Sequence, residues 1–126
     1  MASKIRKLKD SVAAQVAAGR PARALQLLQQ ILQLDPEDVA ARQKCGDLFL
    51  KLGRKGEAIT AYRSAVEAYA AAGHQLKAIA VCKVILQIDP GHSETLEVLA
   101  RLAAANGRPH PVGRRRIRYA RYTRRR

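Results

Sequence analysis

Apolar residues recur along this chain at steps of three and four, in blocks separated by glycine or by Asp-Pro. Ile5, Leu8, Val12 and Val16 fall on one face of a first helix, predicted over residues 4–18, and Gly19 stops it. Pro21 suits the first turn of a second helix, where a missing N–H is without cost, and Ala24, Leu28, Ile31 and Leu32 form its inner stripe. That helix ends before Asp35-Pro36. The same logic makes Asp35 the cap of a third helix running to Leu52, with Val39, Cys45, Phe49 and Leu52 facing inward. Gly53 stops the third helix. A fourth, over 55–72, is longer because no Asp-Pro interrupts it, and it ends at Gly73. The fifth, over 75–87, copies the second: Ala78, Cys82 and Ile85 match Ala24, Leu28 and Ile31, and Ile88-Asp89-Pro90 matches Leu34-Asp35-Pro36. A sixth follows over 93–106, with Ser93 as its cap and Leu96, Leu99, Leu102 and Ala103 as its stripe. No segment reads as a strand.

The glycines that punctuate these helices, Gly19, Gly53, Gly73 and Gly107, lie 34, 20 and 34 residues apart. A period of 34 residues is the mark of helix pairs that stack on their neighbours to complete a core. The short middle interval leaves the fourth helix readable in two registers. It serves as the second helix of one pair through Ala58, Tyr62 and Ala65, or as the first of the next through Tyr62, Ala65 and Tyr69.

On these residues the chain resembles the tetratricopeptide repeat (TPR) family. Gly19, Ala24, Leu28 and Pro36 fit one unit, Gly73, Ala78, Cys82 and Pro90 fit another, and Gly53, Ala58, Tyr62 and Ala65 fit a third that lacks its proline. Leu8, Arg42, Tyr62 and Leu96 stand where the family has a large aromatic, so the opening of each unit matches less well. The resemblance implies an all-α fold of about six antiparallel helices in a right-handed superhelical stack, occupying residues 1–107. A weaker likeness, carried by Ser3 to Lys9 and by Lys77 to Val81, is to TPR segments that precede cyclic-nucleotide-binding domains in bacterial multidomain proteins. It would make the chain an N-terminal module of a signalling protein.

Composition changes the picture mainly at the C-terminal end. Residues 1–107 carry 15 Lys and Arg against 10 Asp and Glu, whereas residues 108–126 carry nine Arg and no acid. Gly107-Arg108-Pro109 repeats Gly19-Arg20-Pro21, but Pro111 and Gly113 follow and no apolar stripe appears, so 108–126 is expected to be a disordered basic tail. The unit begun at Gly107 is thus not completed, which would leave Val98 and Leu102 of the sixth helix exposed or covered by another chain, and favour self-association. In the tail, Arg114, Arg115, Arg116, Arg118, Arg121, Arg124, Arg125 and Arg126 are interleaved with Tyr119 and Tyr122. Arginine pairs with phosphates and tyrosine stacks on unpaired bases, so single-stranded nucleic acid is the polyanion this pattern suits.

No nucleophile stands beside a base in a recognisable constellation, the glycines are isolated helix stops, and Cys45 and Cys82 lack metal-ligand spacing. The chain is therefore read as a non-enzyme without metal or cofactor. It has no apolar run long enough to span a membrane and no secretory signal, which gives the expectation of a cytoplasmic protein. What the TPR resemblance implies is binding of a partner peptide or helix in a groove lined by the first helix of each unit. The matching positions are Arg6, Lys9 and Ala13, then Gln43, Asp47 and Leu50, then Arg63 and Glu67, then Glu94, Glu97 and Arg101. The family's clamp for C-terminal carboxylates is disfavoured, because Ala13 stands where an asparagine is required.

Overall fold

The computed structural model describes residues 2–106, which contain six α-helices and no strand. They are α1 (Ala2–Ala17), α2 (Pro21–Leu34), α3 (Val39–Lys51), α4 (Lys55–Ala71), α5 (Gln75–Ile88) and α6 (Ser93–Ala105). The chain divides into two compact units, the first ending at Ala68 and the second beginning at Tyr69, so the boundary lies inside α4.

Two kinds of connector set the helix ends. After α1, α3 and α4 the chain turns through a glycine in the left-handed region, with φ of 73° at Gly19, 76° at Gly53 and 82° at Gly73. At the first of these the Arg20 N–H donates to the Gln15 carbonyl at 2.9 Å and the Gly19 N–H to the Val16 carbonyl at 3.0 Å. The pairs Arg54–Phe49 and His74–Tyr69 repeat the longer bond at 2.9 and 2.8 Å. This arrangement satisfies carbonyls at the end of a helix, and a residue with a Cβ would be strained in it.

After α2 and α5 the chain uses Asp-Pro instead. The Asp35 N–H donates to the Ile31 carbonyl at 2.8 Å and the Asp38 N–H to the Asp35 carbonyl at 3.2 Å; Asp89 and His92 repeat the pattern at 2.9 and 3.1 Å. Asp35 therefore closes α2 and does not cap α3, contrary to the sequence expectation. The cap is Asp38, whose carboxylate accepts the Ala41 N–H at 3.0 Å. Ser93 is displaced in the same way: His92 holds the cap position of α6, and its Nδ1 lies 2.7 Å from the Thr95 hydroxyl. That contact gives the buried Thr95 a polar partner.

In the first unit α1 packs on α2 and α2 on α3. Their core joins Val12 to Leu25, Leu27, Leu28 and Ile31 of α2 and to Ala41, Cys45 and Leu48 of α3, with Ile5, Leu8 and Phe49 packed against it. On α4, Ala58, Tyr62 and Ala65 are buried, which is the stripe of the first of its two registers. Tyr62 takes its place because α3 offers Gly46 opposite it: a Cβ there would come within 2.7 Å of the Tyr62 ring. Val16 departs from expectation, being 41% exposed at the end of α1.

In the second unit α5 packs on α6. Ala78, Val81, Cys82 and Ile85 of α5 are buried, as are Thr95 and Leu102 of α6. Leu102 is thus interior and not an uncovered residue, whereas Leu96, expected in the inner stripe, is 46% exposed. Within this unit the α4–α5 turn, Gly73-His74, brings the Tyr69 and His74 rings edge to face at 6.4 Å, with the Lys77 ammonium over the Tyr69 ring.

Candidate functional site: the groove between α1 and α3

The helices of the first unit leave an open groove of about 510 Å³ between α1 and α3. Val12, Val16, Leu28 and Leu48 supply its apolar floor, and Ala13, Ala17, Ala40 and Ala41 widen it because their side chains are short. Lys9, Lys44 and Lys51 stand along it together with Asp38 and Asp47. The exposure of Val16 has its structural counterpart here: its side chain lines the groove instead of meeting another helix.

One ion pair crosses from α1 to the start of α3. Lys9 Nζ lies 3.0 Å from the Asp38 carboxylate, with the lysine side chain 54% and the aspartate side chain 11% exposed. Burial alone would raise the Asp38 pKa; the hydrogen bonds from Lys9 and from the Ala41 N–H, with the charges of Lys9 and Lys44, hold it below its ordinary value. Asp38 thus both caps α3 and anchors the groove's edge. Asp47, further along α3, accepts a hydrogen bond from the Tyr62 hydroxyl of α4. Burial first, then that bond and the Asp47 charge, push the Tyr62 hydroxyl well above its usual pKa, so it donates throughout the physiological range.

Of the residues expected to line a binding groove, Lys9, Ala13 and Asp47 line this one. Arg6 lines a separate recess with Ile5, Lys9 and Asp10. Gln43 and Leu50 of α3 and Arg63 and Glu67 of α4 are not among the lining residues. Glu94, Glu97 and Arg101 belong to α6 of the second unit. Lys44, Leu48 and Lys51 were missed; their own spacing of four and three residues marks a single face of α3. The tail residues Arg114, Arg115, Arg116, Arg118, Tyr119, Arg121, Tyr122, Arg124, Arg125 and Arg126 lie outside the described residues.

A second cavity of about 510 Å³ opens elsewhere in this unit, walled by α2, α3 and α4 and lined by Leu32, Arg42, Cys45, Phe49, Ala61 and Ser64 among others. Burial pushes the Cys45 thiol up to about 11, so it stays protonated and poorly nucleophilic there. Among the described residues no cluster of His, Cys, Asp and Glu is placed to hold a metal ion, and no helix is long and apolar enough to cross a membrane.

A family model for the tetratricopeptide repeat matches residues 15–78, about half of the chain, and the chain belongs to that family. None of the curated proteins compared matches the sequence. Solved structures with a similar fold include the first TPR of Spaghetti (RPAP3) bound to the HSP90 peptide SRMEEVD. It is 16% identical, with 84% of this chain and 98% of that one covered, at a TM-score of 0.46. The Yersinia enterocolitica type III secretion chaperone SycD in complex with a peptide of the translocator YopD is 17% identical, with 81% and 88% covered, at 0.48. A tetratricopeptide repeat protein from Parabacteroides merdae is 20% identical at 0.49, and this chain, covered over 83%, spans 48% of its length.

Proposed function

We propose that the chain is a protein-interaction scaffold whose α1–α3 groove docks a peptide or helix of a partner protein. The observation that carries this reading is the exposed valine floor: Val16 is 41% exposed inside a groove with lysines and aspartates along it. Apolar surface left open in a shaped groove gains by being covered, and the surrounding charges fix direction and register more than affinity. Lys9, Ala13 and Asp47 are the contacts expected from the sequence that fit this reading, and Lys44 and Lys51 join them. The test is a photo-crosslinking residue placed at Ala13, inside the groove, or at Lys83, an exposed position on α5. A partner captured from Ala13, absent from Lys83 and lost on adding Val16→Glu supports the reading. Equal capture from both positions refutes it.

A second reading concerns residues 108–126, whose nine arginines face no acid in their own segment. We propose that this segment attaches the scaffold to nucleic acid by displacing counterions from phosphates. Binding to single-stranded RNA that weakens steeply with salt and disappears on deleting 108–126 is the expected result; unchanged binding by the shortened chain would sink it.

A further inference from the structure

Repeat spacings of 34, 20 and 34 residues make Leu8, Arg42, Tyr62 and Leu96 corresponding positions of α1, α3, α4 and α6, and Arg42 alone among them is charged. Its side chain is half buried. Nη1 donates to the Ser64 hydroxyl at 3.1 Å and Nη2 to the Pro36 carbonyl, and both acceptors line the second cavity with Arg42 itself. Both are neutral, so among the described residues the guanidinium has no counter-charge. Those two bonds use two of its five N–H donors, and they hold the planar fork in one orientation.

Leu32, Phe49, Ala61 and the buried Cys45 supply the apolar part of its lining. The only other charged lining residue, Glu57, is held by Arg54 through two bonds of 2.6 and 2.9 Å, and Arg54 in turn lies over the Phe49 ring at 5.1 Å. Glu57 is therefore already paired and does not neutralise Arg42. A fixed cation without a counter-ion, beside an apolar wall in a space of about 510 Å³, fits an anion that carries an apolar body.

We propose that this cavity is a binding site for a small organic carboxylate, with the carboxylate on Arg42 and its aromatic or aliphatic body against Phe49, Leu32 and Ala61. The site is separate from the α1–α3 groove and does not depend on the scaffold reading.

The probe is sodium benzoate, titrated into the full 15N-labelled chain, with benzyl alcohol as the uncharged body of similar size. Benzoate should give saturable amide shifts at Cys45, Phe49 and Ser64 in the millimolar range, and benzyl alcohol should bind about tenfold more weakly or less. Arg42→Gln should cost benzoate a similar factor while leaving benzyl alcohol unchanged. Thr60→Phe, which keeps the cation but fills the cavity from its exposed rim, should abolish both. Shifts confined to the arginines of 114–126, equal shifts with benzyl alcohol, or undiminished benzoate binding in Thr60→Phe would each overturn the proposal. The two-probe comparison in the unsubstituted chain decides the matter even if a variant folds poorly.

Discussion

The α1–α3 groove and the cavity walled by α2, α3 and α4 enclose nearly the same volume and differ in where they keep their charge. The α1–α3 groove has an apolar floor and holds its ions at the edge, where Lys9 is 54% exposed and tied to Asp38. The other cavity carries a cation in its wall, fixed by neutral acceptors. Edge charges are screened by water and act on approach and orientation, while a fixed, partly buried guanidinium selects the chemical class of what enters. Both arise on α3, and the residue pattern on each side of that helix decides which kind of cavity forms.

The largest effect should come from removing the fit on which α3 depends. Gly46→Val would place carbon atoms inside the Tyr62 ring's space and should destabilise the chain by about 3 kcal/mol in urea unfolding, disturbing both cavities together. Adding Tyr62→Leu should restore much of the loss, and no restoration would mean that the clash lies elsewhere. Next in size, Asp38→Ala removes the cap of α3 and the partner of Lys9, and should cost about 1 kcal/mol while loosening the groove alone.

Acid should act on the same group. The folded-state pKa of Asp38 is depressed, so its contribution is complete above the ordinary carboxylate value of 3.8 and is lost as the pH falls through the lower folded value. Asp38→Asn, which keeps an acceptor for the Ala41 N–H, should therefore lose less stability than the parent chain over that acid range in a pH series of thermal melts. The smallest effect belongs to Lys9→Ala, expected at about 0.5 kcal/mol or less, because half of the lysine is in water. A larger loss would show that the groove edge depends on this pair.

Helix order was legible because glycine and Asp-Pro are unambiguous punctuation, and all six helices lie where the apolar spacing puts them. The caps of α3 and α6 were not legible. In each Asp-Pro turn the aspartate carbonyl accepts an N–H three residues on, so the new helix starts later than the proline suggests. Val16 and Leu96 were misjudged for a different reason: periodicity shows which residues share a face, but not whether anything covers that face. Of the residues lining the α1–α3 groove, the repeat spacing pointed to Lys9, Ala13 and Asp47. Gln43 and Leu50 sit about one residue's rotation, ~100°, away from the stripe of Lys44, Leu48 and Lys51, and line neither cavity.

The contact between Gly46 and Tyr62 ties together two positions that are sixteen residues apart in the sequence. Seen across a lineage, neither can drift alone. A descendant that enlarged the glycine would be viable only after the tyrosine had shrunk, and the reverse order, tyrosine first, would be the easier route because it leaves a void instead of a collision. Related sequences should therefore show these two positions exchanging bulk as a pair, with intermediates that are small at both far more common than any that are large at both.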